Sequence, residues 1–151
     1  MGIVVQIFTA AARGAPMEMR ERVTALADEG LVGDRYSIAK NRRGPDYQLT
    51  LIEIENIDAY RQATDPTFTN DLPRRNIVTR DIALNDLCGK RFRVGAVVLE
   101  GLELSEPCSL FAKRTRREVL KGFLHRGGLR ARILEGGEVR VGAIVQADAS
   151  Q

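Results

Sequence analysis

The side chain with the widest chemical reach is Cys108, which follows Pro107 in Ser105-Glu106-Pro107-Cys108-Ser109-Leu110-Phe111 and precedes Lys113 and Arg114. Proline fixes the backbone entering the cysteine. A thiol among cations is the setting that favours thiolate, the form that acts as nucleophile, persulfide carrier or soft-metal ligand. The competing reading is a buried cysteine behaving as a small hydrophobe. Cys88, in Asp86-Leu87-Cys88-Gly89 after an apolar-patterned segment, reads as structural. A second cluster, Arg74-Arg75-Asn76 with Thr79 and Arg80, offers guanidinium forks and neutral donors. These suit a phosphate or the edge of a pterin-like heterocycle, or else form a solvated charged face. Gly33-Asp34-Arg35 is either a ligand-facing turn or an internally paired loop. His125-Arg126-Gly127-Gly128 sets the single imidazole of the chain and a guanidinium beside a Gly-Gly turn, whose amides either face an anion or cap a helix.

Other chemistries lose their support. There is no Walker-type loop, no G-x-S-x-G and no G-x-G-x-x-G after a strand. Two cysteines without C-x-x-C spacing and one histidine do not make a structural zinc site.

The elements that must position these groups are mostly strands. Ile3 to Phe8 is a β-branched run that ends before Gly14-Ala15-Pro16, and Met17 to Leu26 favours strand over a short helix. Gln48 to Ile52 reads as a strand running into a helix with apolar residues at 54, 57 and 60, and Arg74 to Arg80 as a polar-headed strand. Asn41 to Asp46 is a loop. Phe92 to Leu104 reads as two strands hinged at a glycine, and Ile133 to Val141 as a hairpin across Gly136-Gly137. Between them Arg116 to His125 predicts an amphipathic helix with Val119, Leu120, Phe123 and Leu124 on one stripe, closed by Gly127-Gly128. The expected fold is mainly β with a few short helices, a single β-barrel domain over residues 1–151.

Composition agrees. A chain of 151 residues, 44% hydrophobic and 28% charged, has the size and make-up of one folded domain. A net charge of +3 suits anionic small molecules better than a nucleic-acid surface, and no apolar stretch approaches membrane-spanning length. The two cysteines and the lack of a basic-led apolar leader predict a reducing, cytoplasmic setting.

Taken in order, Glu29-Gly30-Leu31-Val32-Gly33-Asp34-Arg35-Tyr36, Arg74 to Arg80, Leu84 to Gly95, Glu106-Pro107-Cys108 and His125 to Ala131 resemble the MOSC domain family, named for the C-terminal domain of molybdenum-cofactor sulfurase. The resemblance runs through nearly the whole chain. It implies a barrel similar to the pyruvate kinase barrel domain, which handles the molybdenum cofactor or sulfur. Cys108 then matches the family cysteine, persulfide carrier or molybdenum ligand, and Arg74, Arg75 and Asn76 match the motif that grips the anionic pterin phosphate. Thr79, Gly33, Asp34, Arg35, His125, Arg126, Gly127 and Gly128 are the further candidate cofactor contacts. The alternatives are a molybdenum-dependent reductase of N-hydroxylated compounds with an external electron donor, and a non-catalytic barrel that binds anions or RNA. Two positions depart from the family: Tyr36 stands where many members have His, and Ser105 where some have a second cysteine. No pyridoxal phosphate is expected, since 151 residues have no room for the desulfurase domain. Sulfur or electrons are expected from a cysteine desulfurase or redox partner protein.

Overall fold

The computed structural model describes residues 1–38, 47–115 and 118–148. Seven strands close into a barrel, β1 (Gly2–Thr9), β11 (Ile144–Ala147), β7 (Arg91–Val94), β8 (Val97–Leu104), β9 (Leu129–Glu135), β5 (Leu49–Glu53) and β6 (Ile77–Arg80), the last pairing back to β1. All pairs are antiparallel except β5 with β6. A short β2 (Glu18–Arg20) extends the sheet from β1, and β3 (Arg22–Leu26), β4 (Gly30–Leu31) and β10 (Gly137–Arg140) form a separate three-stranded sheet. The expected mainly-β barrel is therefore present.

Period-two alternation fills the barrel: Leu129, Ala131 and Ile133 of β9 are fully buried while the residues between them are only partly covered. On β1 the inward residues are Val4 and Ile7, three apart, because a bulge shifts the register between Val4 and Gln6. A second core lies outside the barrel. There α1 (Ile54–Ala63), α2 (Ser109–Arg114) and α3 (Val119–Gly122) cover the outward residues Phe8, Ile52 and Val78. Tyr60, Phe68, Phe111 and Phe123 stack there with centroids 4.8 to 6.4 Å apart. Through Phe111 this aromatic core anchors the helix that Cys108 precedes.

Two sequence expectations change. Residues 133–141 are not a hairpin: β9 pairs with β5 and β8, whereas β10 pairs with β3. Gly136 packs against the Ala25 carbonyl, where a Cβ would lie 2.5 Å from the oxygen, so the Gly-Gly pair is a crossing from the barrel to the other sheet. The helix expected from Arg116 is the single turn of α3, with Val119 and Phe123 buried and Leu120 and Leu124 exposed. Residues 116–117, like the loop at 41–46, lie outside the described residues.

Candidate functional site

Parallel pairing of β5 and β6, with Leu51 beside Ile77, brings the residues before each strand together, Tyr47 on one side and Arg74 and Arg75 on the other. Arg130, opposite Thr50 on the antiparallel β9, points away from the barrel core because its neighbours point in. Against these residues stand Arg13 and Gly14 after β1, Arg35 and Tyr36 after β4, and Cys108, Phe111 and Arg114 at α2. With Leu72 and Pro73 they enclose a cavity of about 260 Å³. Six arginines and one thiol line it, and among the described residues no carboxylate does.

Of these arginines, Arg74 and Arg75 bond to no carboxylate among the described residues, whereas Arg35 pairs with Asp34 (3.0 Å) and Arg130 with Glu103 (3.5 Å). Arg75 donates from Nε to the Gly127 carbonyl (2.7 Å), from Nη1 to Pro73 (3.0 Å) and from Nη2 to Ser105 (3.1 Å), so a charged group is satisfied by neutral oxygens. Burial, reinforced by the nearby Arg130 guanidinium, pulls its pKa down to about 10. Arg74 donates from Nη1 to the Ala15 carbonyl (2.7 Å), and burial followed by Arg35 and Arg114 lowers its pKa as well. Its backbone is left-handed, φ +59°, a conformation costing about 1–2 kcal/mol in a residue with a Cβ. The Arg35 bond to the Arg74 carbonyl (3.1 Å) helps to hold it there. One N–H group of Arg74 (Nη2) and one of Arg130 (Nη1) are buried with no hydrogen-bond partner among the described residues. Such groups cost about 1–3 kcal/mol unless a partner arrives.

Arg35 is oriented from beneath by Asp34, which is fully buried. Its Oδ1 accepts from the Ala10 amide and from Arg35 Nη1, both at 3.0 Å, and its Oδ2 from the Tyr36 amide at 3.3 Å. Asp34 therefore positions and does not face the cavity. Gly33 forms the turn before it, outside the cavity wall.

Asn76 and Thr79 are also inside. Asn76 Oδ1 accepts from the Thr50 amide (3.0 Å) and hydroxyl (3.3 Å), and its Nδ2 donates to the Phe8 carbonyl (3.1 Å), tying β1, β5 and β6 together. Thr79 Oγ1 donates to the Ile52 carbonyl (3.4 Å). Neither reaches the cavity.

The Gly127-Gly128 turn acts through close approach. A Cβ on Gly127 would lie 2.1 Å from the Ser105 carbonyl oxygen, and one on Gly128 1.9 Å from that of Leu51. The two glycines thus let this turn lie between the Ser105 segment on one side and β5 on the other, and the Ser105 amide donates to the Gly128 carbonyl (2.8 Å). His125 is exposed and pairs with Glu106, which accepts both its backbone amide and its Nδ1 at 2.7 Å. Neither His125 nor Arg126 lines the cavity.

Cys108 is exposed, so the buried-hydrophobe reading does not hold for it. Cys88 is exposed as well, with Sγ 3.6 Å from the Leu102 carbonyl. Ser105, at the departing family position, is buried with a hydroxyl lacking any partner among the described residues. Sequence reasoning missed Arg13, Tyr47 and Arg130 as wall residues. Alternation along β9 was the signal for Arg130, while Arg13 and Tyr47 carried none. No group of three or more His, Cys, Asp or Glu that could hold a metal occurs among the described residues, and no helix there is long and apolar enough to cross a membrane.

The same architecture occurs in solved structures. The YuaD protein from Bacillus subtilis superposes with a TM-score of 0.77 at 15% identity, over 96% of this chain and 94% of that one. YiiM from Geobacillus stearothermophilus gives 0.76 at 16% identity over 98% and 75%. YiiM from Escherichia coli gives 0.72 at 18% over 99% and 70%. At such identities the likeness establishes the fold alone. No curated protein matches the sequence. The MOSC domain family model matches residues 39–146, well over half of the sequence, and the chain therefore belongs to the MOSC domain family.

Proposed function

We propose that this domain binds the molybdenum cofactor and handles sulfur, with Cys108 as persulfide carrier or molybdenum ligand in a cavity built to hold the cofactor's anionic pterin. The family is generally linked to molybdenum-cofactor binding. The observation that carries the reading for this chain is the exposed Cys108 thiol in a cavity lined by six arginines and no described carboxylate. Such a wall favours an anion, and the unpartnered N–H groups of Arg74 and Arg130 suit acceptor oxygens of a phosphate. The residues present fit the group. Lacking a described metal cluster of its own, the domain suits a metal that arrives already chelated and gains one thiolate.

In this reading Arg74, Arg130 and Arg114 hold the anion, Arg75 lends its charge from the wall while its N–H groups are spent on carbonyls, and Asp34 acts from behind the wall. Arg75 fixes the Ser105 and Gly127 backbone, and Asp34 fixes Arg35. When bound, the cofactor supplies redox and atom-transfer chemistry. Sulfur transfer needs only Cys108 and a partner. The Cys108 thiolate attacks the outer sulfur of a donor protein's persulfide, the donor's S–S bond breaks and its thiolate leaves, and an acceptor thiolate then attacks the outer sulfur of the Cys108 persulfide. The S–S bond breaks, the Cys108 thiolate leaves and the persulfide resides on the acceptor. Ser105 provides no second thiol, so the acceptor must be another molecule.

The test is the molybdenum, pterin and persulfide content of wild type and Cys108→Ala, both purified from cells that make the cofactor. Molybdenum or persulfide present in the wild type and lost in a folded Cys108→Ala protein is the expected result. Equal loads in both proteins, or none in either, would overturn the reading. Molybdenum loss points to the ligand role and makes turnover of an N-hydroxylated base with an electron donor the next assay; persulfide loss without molybdenum points to the carrier role.

A further inference from the structure

Sulfur transfer at Cys108 sets a geometric demand on any protein that takes part in it. An S–S bond is about 2 Å long, so the partner's reacting sulfur must come that close, and its surface must then meet the residues around Cys108. Those residues belong to α2, which Cys108 precedes, and to α3 and the turn after it. The pieces are fastened together. Phe111 of α2 stacks on Phe123 at the end of α3 with centroids 5.6 Å apart, and Glu106 accepts from the backbone amide and from Nδ1 of His125, both at 2.7 Å.

Outside the cavity wall this surface is basic. Lys113, Lys121 and Arg126 are exposed, and neither they nor Arg114, which also lines the cavity, form an ion pair among the described residues. Among the described residues Glu118 is the only carboxylate between Cys108 and Arg126. Four cations set against that one acid equal the whole net charge of +3, so the excess charge of the chain lies beside the thiol. Leu120 and Leu124 belong to the same stretch and are 40% and 53% exposed. The aromatic rings of α2 and α3, Phe111 and Phe123, are buried. A nucleic-acid strand gains most from exposed rings on which its bases stack, whereas a protein interface combines exposed apolar side chains with a charged rim.

We propose that α2, α3 and the turn after them form the docking surface for the protein that exchanges sulfur with Cys108, and that this partner presents an acidic surface with apolar residues around its own cysteine. The proposal rests on the sulfur-handling reading above and adds to it the face that the partner occupies and the chemistry that it must carry. The unpaired cations draw in an oppositely charged surface and turn away a basic one, while the two leucines supply apolar contact once it has arrived.

The test uses a Cys88→Ser protein, in which Cys108 is the sole thiol, and a pair of peptides that carry a cysteine as its 2-thiopyridyl disulfide. One peptide is rich in glutamate and contains leucine; the other has lysine in place of each glutamate. The Cys108 thiolate attacks the peptide sulfur, the S–S bond breaks and the thiopyridine thiolate leaves and is protonated, so the released thiopyridone reports each rate. The acidic peptide is expected to react at least about tenfold faster at low ionic strength, an advantage that shrinks as salt is added. The ratio of the two rates does not depend on the reactivity of the thiol itself. Lys113→Glu/Lys121→Glu should cut that ratio to about threefold or less while methyl phosphate affinity stays within about twofold, since neither lysine lines the cavity. Lys113→Gln/Lys121→Gln, which covers a failure of the glutamate variant to fold, should lower the ratio in the same direction. Leu120→Ser/Leu124→Ser should slow the acidic peptide about threefold. Equal rates for the two peptides in the otherwise unaltered protein, or an acidic peptide unaffected by the leucine change, would overturn the docking surface. A ratio unchanged in the lysine variants, or one that falls only together with methyl phosphate affinity, would overturn it too, because the cavity would then be responsible. An oligonucleotide of matching charge with the same activated disulfide, reacting as fast as the acidic peptide, would overturn the choice of a protein partner. No reaction of Cys108 with any of these probes would overturn the transfer reading beneath the proposal.

Discussion

Two cavities lie close together in this molecule, and both contain arginine. The larger, about 560 Å³, is lined by Gln6, Phe8, Met17, Met19, Arg61 and the segment 66–71. Arg61 there is fully engaged: Nη1 donates to the Asp58 carboxylate at 2.6 Å, Nε to the Phe68 carbonyl at 2.8 Å, and Nη2 to Asn70. In the smaller cavity Arg75 bonds only to carbonyls, Arg74 bonds to one carbonyl and keeps an N–H with no partner among the described residues, and Arg130, paired through Nε with Glu103 at 3.5 Å, keeps another. Residue type does not separate the two places. What separates them is surplus charge: Arg61 pairs with Asp58, whereas in the smaller cavity Arg35 and Arg130 have carboxylate partners but Arg74 and Arg75 bond to none among the described residues, which suits that cavity to an anion.

The largest effect comes from breaking the backbone approach that only the smaller cavity needs. Gly128→Ala forces a Cβ to within 1.9 Å of the Leu51 oxygen at a residue whose φ is +104°, so neither the contact nor the conformation tolerates it. A loss of about 4 kcal/mol or more in denaturant unfolding is expected. A loss below about 1 kcal/mol would show that the Ser105 to Cys108 segment is not seated through this glycine.

A smaller effect sharpens the contrast from the other side. Arg61→Ala removes a charge-assisted bond to Asp58 and a bond to a carbonyl, and should lower stability by about 1–2 kcal/mol in the same assay. No change in stability would mean that Arg61 is not the engaged structural arginine described above.

The smallest effect concerns pH. Arg75 has its pKa lowered to about 10, so it is charged at neutral pH and loses its proton as pH rises through about 10. Loss of that positive charge weakens the cavity's field. The affinity for benzenesulfonate, whose own charge is constant, should therefore fall severalfold between pH 9 and 11 in the Tyr36→Phe/Tyr47→Phe background, where neither phenol titrates. A flat profile would contradict the assignment of that charge to the cavity.

Much of the barrel was legible because strands announce themselves locally. The alternation of Leu129, Ala131 and Ile133 and the β-branched runs at β1 and β6 are period-two signals that need no partner to be read. Pairing partners were not legible. Gly136-Gly137 has the composition of a hairpin, yet the chain leaves the barrel there, because close packing on Ala25 is decided by residues over a hundred positions away. The site was half legible for the same reason. Cys108, Arg35, Arg74 and Arg75 stood out by type and spacing, but the same polar run contains Asn76, whose amide bonds to the backbones of two strands inside the sheet. Nothing in a sequence run tells a polar side chain that completes a ladder from one that faces a ligand. Arg13 and Tyr47 reach the wall only through tertiary folding.

The central claim is that Arg74 and Arg75, which bond to no carboxylate among the described residues, make the smaller cavity an anion site. Its most direct test is titration with methyl phosphate of wild type, Arg74→Ala and Arg61→Ala at one ionic strength. Losing a charge-assisted contact costs about 1.5–3 kcal/mol, so Arg74→Ala should bind at least about tenfold more weakly than the wild type, while Arg61→Ala stays within about twofold of it. Equal weakening in both variants, or in neither, would contradict the account.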